Sequence, residues 1–376
     1  MSLQAVITGA AESPYTRHPP DDATTIGVLA DAARRALADA GLGSADVDGI
    51  GVASFSLVPD HAIDLAWRLG LRVRWLMDAA TGGASAVDML QHAKRAVEAG
   101  DAAAVLLVAG DVLRPRDFRA LVDTFNSAAR DHLTPIPTAG PNALFALLTR
   151  RQMLTHRLSR EVYGRLVVAQ RTWAARNPGA VYRDPLTLDA YLREPLVADP
   201  LCRLDCVPVV AGADAVVIQA GESGVRVRAL VALHNDDQQE AEGLQTGLAH
   251  VAAQLWDEAS AGPDDIAVAS VYDDYPAMVL AQLADLGFAP DGDLERLVER
   301  VVAGSPAMNT SGGQLSAGQA GAAGGMHGLV EVIRQLRGVA GDRQVSRARL
   351  GLVTGYGMVA YRYGACANAA VLEARS

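Results

Sequence analysis

Lysine is nearly missing from this sequence: Lys94 is the only one among 33 lysine and arginine residues. Schiff-base and pyridoxal phosphate chemistries need a desolvated lysine amine. Lys94 lies in a run with the spacing of an ordinary amphipathic helix, where the amine is solvated, so lysine-dependent aldolase chemistry is disfavoured. Cysteine is scarce as well. Cys202, Cys206 and Cys366 are too few for a disulfide framework. No accompanying Cys or His stands at metal spacing beside Cys202 and Cys206, so no metal site is expected. Positive charge is in deficit. The net charge of -10 argues against the clustered basic surface that nucleic acid or an anionic membrane requires. The longest hydrophobic run, over residues 102–109, is far shorter than the about 20 residues of a bilayer span. The opening Met1, Ser2, Leu3 and Gln4 carry no basic leader. The expectation is a protein with no membrane span, placed in a reducing cytoplasm.

The 376 residues, 50% of them apolar, are more than one simple core usually holds. The N-terminal part alternates strands and helices. Residues 4–9 form a short apolar run. Ile26, Leu29, Ala33, Leu37 and Ala40 recur at helical spacing, with Thr25 as the expected N-cap and Gly41 as the stop. A strand is predicted over 48–55. Gly82 and Gly83 then lead into a helix carrying Ala86, Met89, Leu90, Ala93 and Val97 on one face, and residues 104–109 read as a fully buried strand. The C-terminal part repeats the plan: strands over 225–233 and 266–272, a glycine-rich stretch over 312–325, a helix with Leu329, Val332, Ile333 and Leu336 on one face, then strands over 349–354 and 367–372. Such alternation puts helices on both faces of a sheet, and two copies of it imply a duplicated α/β protein with five layers, αβαβα. The expected division is 1–222 and 223–376. Residues 113–199 are inserted in the first half, with helices over 141–156 and 159–176; a long insertion of this kind commonly covers an active site.

Several segments are more specific. The run from Asn177-Pro178-Gly179 through Tyr182-Arg183-Asp184-Pro185, the stretch from Asp199-Pro200 to Cys206, and Gly212-Ala213-Asp214 closely resemble the sterol-carrier-protein type of thiolase. So do Val271-Tyr272-Asp273-Asp274-Tyr275, Asp285-Leu286-Gly287-Phe288, and Asn309-Thr310-Ser311-Gly312-Gly313 followed by Val332 to Gly338. The match covers essentially the whole chain, in order. The resemblance implies the thiolase fold with an inserted loop domain, a homodimer, and acyl-coenzyme A thioesters as substrate rather than any bound cofactor.

The resemblance also shows what is gone. Thiolase chemistry needs a cysteine thiolate at a helix N-terminus to accept the acyl group. Aligning the helix after residue 82 places Gly83 there, which cannot carry an acyl group. Ser85 is close, and reads as a cap or packing hydroxyl beside the functional alternative of binding substrate. Where the family has Gly-His-Pro, this chain has Gly318-Gln319-Ala320. Gln319 keeps a hydrogen-bond donor for a thioester oxygen but transfers no proton at neutral pH. His327, two helical turns further on, reads as a packing histidine. The family motif that typically starts with histidine is here Val271-Tyr272-Asp273. Tyr272 can donate a hydrogen bond or, with a lowered pKa, act as a base; it can equally be a structural tyrosine closing a strand. Asp273 adds a carboxylate beside it. Gly355-Tyr356-Gly357 stands about where thiolases carry a second cysteine, and the direction of Tyr356 is open. Asn309, Gly313 and Gly357 are expected to bring side-chain and backbone groups to substrate, Gly313 in a tight turn that lacks the lysine of a phosphate-binding loop.

Thiolase-like aldolases of steroid side-chain degradation lack the cysteine and use tyrosines for retro-aldol cleavage. That resemblance implies carbon–carbon chemistry without a covalent acyl-enzyme, and a small accessory protein with a zinc ribbon and an OB-fold. This chain departs from it at Gln319, where those aldolases carry a tyrosine. A catalytically degenerate acyl-coenzyme A-binding subunit is the alternative, with acyl transfer by an atypical nucleophile the third.

Overall fold

The computed structural model describes residues 4–124, 140–236, 244–360 and 363–374. Five strands come from the first part of the chain: β1 (Ala5–Glu12), β2 (Gly49–Ala53), β3 (Trp75–Asp78), β4 (Ala104–Asp111) and β5 (Gly212–Ala220). Five more follow: β6 (Val225–His234), β7 (Val268–Ser270), β8 (Ala307–Met308), β9 (Leu350–Ala360) and β10 (Tyr363–Glu373). Their order across the sheet is β3-β2-β4-β5-β1-β6-β10-β9-β7-β8. Read outward from the middle, each set runs first, fifth, fourth, second, third. The pairings repeat as well: antiparallel, antiparallel, parallel, parallel on both sides. One plan is used twice. Within the sheet the two copies join where Val6 and Ile7 of β1 pair with Arg226 and Val225 of β6.

Helices α1 (Thr25–Ala40) and α2 (His61–Leu69) bury Leu29, Leu37, Leu65 and Leu69 against Ile50, Leu106 and Val217 on one face of the first copy. Helix α3 (Ser85–Ala99) covers the other face. β4 is buried along its whole length, which is why its sequence is continuously apolar rather than alternating. The N-cap of α1 is Thr24, whose hydroxyl accepts from Gly27 N, and not Thr25. The Thr25 hydroxyl is engaged elsewhere, bonding Ser56 Oγ (2.7 Å) and accepting from Val112 N (3.1 Å).

Between β4 and β5, mostly within the stretch read as an insertion, lie α4 (Pro115–Thr124), α5 (Pro141–His156), α6 (Arg160–Ala174), α7 (Leu188–Arg193) and a two-strand ribbon of Leu196–Ala198 with Leu201–Cys202. Residues 125–139 of the stretch assigned to it lie outside the described residues. In the second copy α8 (Leu248–Ala259), α9 (Pro276–Asp285) and α10 (Leu294–Val302) cover one face. The five-residue α11 (Gly313–Ala317) and then α12 (Gly324–Leu336) follow. Met326, Leu329, Val330 and Ile333 of α12 share one apolar cluster with Met89, Leu90 and Val97 of α3 and with strands of both copies. The two helices therefore form the middle layer, between the copies, and their N-termini meet. Among the described residues no helix is long and apolar enough to cross a membrane.

Candidate active site

A tight turn over Gly82–Ala84 opens α3. A Cβ built on Gly83 would overlap Cε2, Cζ and the hydroxyl of Tyr272. The space a side chain would need at residue 83 is already filled by the Tyr272 ring. The backbone is close-packed around it. A Cβ on Gly325, in the first turn of α12, would overlap the Gly83 carbonyl, and one on Gly357 of β9 would overlap the Thr81 carbonyl. Gly357 thus serves to let β9 lie against the turn.

Tyr272 reaches this place because the chain leaves the ladder early. A strand over 266–272 was expected, but β7 ends at Ser270. Asn309 takes over from the next strand: its Oδ1 accepts from Val271 N (2.8 Å) and its Nδ2 donates to Val271 O (3.0 Å). Both functions of that amide are engaged and the residue is fully buried, so Asn309 positions the Tyr272 segment. Tyr272 N donates to Thr354 Oγ1 (3.0 Å), Tyr272 O accepts from Gln282 Nε2 (2.8 Å), and Thr354 Oγ1 donates to Gln282 Oε1 (2.7 Å). Tyr356 points inward, its ring centroid 6.4 Å from that of Tyr272 and tilted by 43°.

The hydroxyl of Tyr272 accepts a hydrogen bond from Gln319 Nε2 (2.9 Å), which also donates to Gln314 Oε1 (3.0 Å). Burial pushes the Tyr272 phenol well above its ordinary range, and the charge on Asp274 adds to that rise. The phenol therefore keeps its proton at neutral pH and is a donor, the first of the two roles open to Tyr272. Asp273 is not an open base either. Its Oδ1 accepts from Gln314 N (2.9 Å), and its Oδ2 from Gln170 Nε2 (2.8 Å) and Leu315 N (3.3 Å). It caps α11 and latches α6 of the insertion. Gly313 makes room for this cap: it has φ +61°, and a Cβ there would overlap Asp273 Oδ2. Its expected role toward substrate is thereby a packing role. Ser85 is buried; its Oγ accepts from Thr81 N (3.2 Å), while Thr81 Oγ1 donates to Asp88 Oδ2 (2.6 Å), an arrangement that caps the first turn of α3.

Burial holds the Asp273 carboxyl up to about 7, against the pull of the Gln314 and Leu315 amides. Burial and the charge on Asp273 hold Asp274 up to about 8. Asp274 Oδ1 has no hydrogen-bond partner among the described residues. For a carboxyl raised in the folded state, the unfolded chain loses its proton first. Between about 4 and about 8 the native state binds more protons, and stability falls as pH rises, by about 1.4 kcal/mol per pH unit for each such group. Asp274→Asn is expected to remove that residue's share, so urea midpoints at about pH 5 and about pH 7.5 converge relative to wild type. An unchanged difference between the two midpoints would count against a raised Asp274.

His327, expected to pack, is buried within an ionic network between the two copies. Its Nδ1 lies 2.8 Å from Glu12 Oε1 and its Nε2 2.8 Å from Ser311 Oγ; Arg334 pairs with Glu12, and Tyr15 OH donates to Asp214 Oδ2 (2.6 Å). Glu12, Asp214 and His327 could together hold a metal ion. The Arg334 guanidinium already supplies a positive charge there, so these residues fit a resident ion poorly.

Of the sequence-derived residues, Gly83, Tyr272, Gln319 and Tyr356 converge. Asn309, Gly313, Gly357, Ser85 and Asp273 support them from outside. Gln314, Gln170, Gln282 and Thr354 were missed. Their roles become visible only in the structure: the three glutamines are buried, and a buried amide requires partners.

The Thiolase C-terminal domain-like family matches residues 231–368. The chain is 30% identical to the 17-hydroxy-3-oxo-4-pregnene-20-carboxyl-CoA lyase of Mycobacterium tuberculosis, over 90% of this chain and 92% of the relative. It is 27% identical to a steroid side-chain-cleaving aldolase of Thermomonospora curvata, over 89% and 90%. Among solved structures, the Ltp2-ChsH2(DUF35) aldolase superposes with a TM-score of 0.86 at 26% identity, covering 99% of this chain and 98% of that one. Sequence and fold agree along nearly the whole length, and the chain belongs to the thiolase superfamily, in its sterol-carrier-protein type.

Proposed function

We propose that this protein cleaves a β-hydroxyacyl-coenzyme A thioester by a retro-aldol reaction, with no acyl-enzyme and no bound cofactor. The observation that supports this reading most is the Tyr272 ring filling the side-chain space at residue 83. A nucleophile on that turn is replaced by a hydrogen-bond donor at the same spot. The lyase and aldolase names of its relatives favour the same chemistry.

In the reaction the β-hydroxyl gives its proton up to solvent, the Cα–Cβ bond breaks to leave a carbonyl compound, and the electron pair passes into the enolate of the shortened thioester. A proton returned to Cα completes the product, so none is consumed overall. The neutral Tyr272 phenol donates to the thioester oxygen as charge collects on it and is placed to supply the returning proton. The raised pKa means that the phenol carries its proton at neutral pH and so has one to donate. Tyr356 and the close-packed turn over 82–84 exclude water from the enolate. The test is incubation with β-hydroxyacyl-coenzyme A thioesters, with the carbonyl product and the shortened thioester measured together in equal amounts. The name of the solved Ltp2-ChsH2(DUF35) aldolase carries a second component, so the assay includes a small zinc-ribbon and OB-fold protein as partner. Binding of the thioester without turnover, with and without the partner, would favour the degenerate subunit instead.

The second partner in this reading is another copy of the chain. The outer edge of β3 is unpaired among the described strands. Beside it Trp67 and Leu76 are 79% and 42% exposed, with Ile63 and Val58 nearby in sequence and also exposed. An open apolar edge of this sort invites strand pairing. The double variant Trp67→Asp, Leu76→Arg is expected to sediment as a monomer where the wild type sediments as a dimer. A wild type that is monomeric at about 50 µM, well above the Kd range of stable dimers, would refute this assembly.

A further inference from the structure

Tyr272 is held by a row of amides whose polarity is set from one end. Asp273 is that end. Backbone N–H groups of Gln314 and Leu315 donate to its two oxygens, and a backbone N–H cannot reverse its role. The side-chain amide of Gln314 comes next. Its Nε2 faces Asp273 Oδ1 at 3.5 Å, so its Oε1 faces the other way, toward Gln319. That oxygen is seated against the start of α12, where a Cβ on Gly324 would overlap it. It accepts one hydrogen of Gln319 Nε2 (3.0 Å), and the Tyr272 oxygen accepts from the same nitrogen (2.9 Å).

With Asp273 ionised, the reversed arrangement fails at each link. Turning the Gln319 amide over would set its oxygen against Gln314 Oε1. Turning Gln314 to relieve that would set its oxygen against the Asp273 carboxylate. The amide nitrogen of Gln319 is a donor only, so the single hydrogen of the phenol is directed elsewhere.

We propose that Asp273, Gln314 and Gln319 form a one-way hydrogen-bond relay that keeps the Tyr272 O–H turned to an incoming carbonyl oxygen, with Gln314 as a positioning residue. The carbonyl belongs to a thioester if the retro-aldol reading holds, and the relay rests on that reading only for the identity of the acceptor. Its direction is a property of the resting protein. Gln319 is then engaged with Tyr272 through its donor nitrogen, and the oxyanion contact passes to the phenol.

The test uses Gln319→Glu, which keeps the shape and removes the donor when ionised, together with Gln314→Leu, which removes the acceptor that orients residue 319. The intact protein is labelled at tyrosine Cζ with carbon-13, and the Tyr272 resonance is assigned by its loss in Tyr272→Phe. With no substrate present, that resonance is expected to move in both variants, because the phenol now donates to residue 319. In turnover, Gln319→Glu is expected to lower kcat about tenfold or more once the glutamate ionises, with KM held within about twofold and recovery as pH falls and the carboxyl can donate again. A Tyr272 resonance at its wild-type position in Gln319→Glu overturns the relay, whatever the activity; this isosteric variant decides the matter if Gln314→Leu does not fold. A shifted resonance in a protein whose wild type turns over no thioester keeps the relay and overturns the retro-aldol reading.

Discussion

Gly83→Cys yields no thiolase activity and a less stable protein. The added side chain enters space held by Cε2, Cζ and the hydroxyl of Tyr272, and the ring cannot withdraw easily. Its backbone is fixed by Thr354, Gln282 and, through Val271, by Asn309. Overpacking of this kind costs about 1–3 kcal/mol, and more where backbone must shift. The double variant Gly83→Cys, Tyr272→Ala is expected to regain part of that loss, since the methyl of alanine leaves the ring's volume to the sulfur. Its thiol, at the N-terminus of α3, should also react with iodoacetamide at lower pH than Cys202, Cys206 or Cys366, all of which burial holds above the ordinary thiol range. The measurements are a thermal melt and the pH dependence of alkylation. Gly83→Cys melting with the wild type and retaining full carbon–carbon cleavage would show that the ring does not stand there.

Tyr272→Phe lowers kcat for retro-aldol cleavage by about 10²- to 10⁴-fold, the range for removing a proton donor or an oxyanion contact, while thioester binding changes little. The ring stays, so the packing against Gly83 and Tyr356 is kept. What is lost is the hydrogen aimed at the substrate oxygen, and Gln319 Nε2 loses one acceptor while keeping Gln314 Oε1. Stability is expected to fall by about 1 kcal/mol, in line with one hydrogen bond. Steady-state kinetics separates the two effects. A kcat within about threefold of wild type would remove Tyr272 from the chemistry, because even a weak general acid contributes more than that.

The layered α/β plan was legible because it rests on local signals: helical periodicity, a continuous apolar run for the buried β4, glycine at helix ends. The thiolase resemblance came from short ordered motifs along the whole chain. What the sequence did not disclose was reach. Tyr272 and Gly83 are far apart in the chain, and only the structure shows that the ring fills the side-chain space at residue 83. The early end of β7 was invisible for a similar reason, since residues 266–272 read as a continuous strand while the ladder is finished by a side chain from Asn309. Asp273 reads as a site residue because it stands beside Tyr272, and Asn309 because its segment resembles the family's; both are buried and bonded to backbone or amide groups, and polarity alone does not separate a ligand-facing group from a brace. Gln170 lies in a helix of the insertion, and nothing in its own neighbourhood announces Asp273.

The interlocking of Gly83 with the Tyr272 ring also bears on descent. A lineage with this pair has no single-residue road back to sulfur chemistry: the thiol alone is crowded, and loss of the ring alone leaves an empty hole with neither group. Either single change is expected to lose packing, so a side chain at residue 83 and the Tyr272 ring are expected to exchange together or not at all.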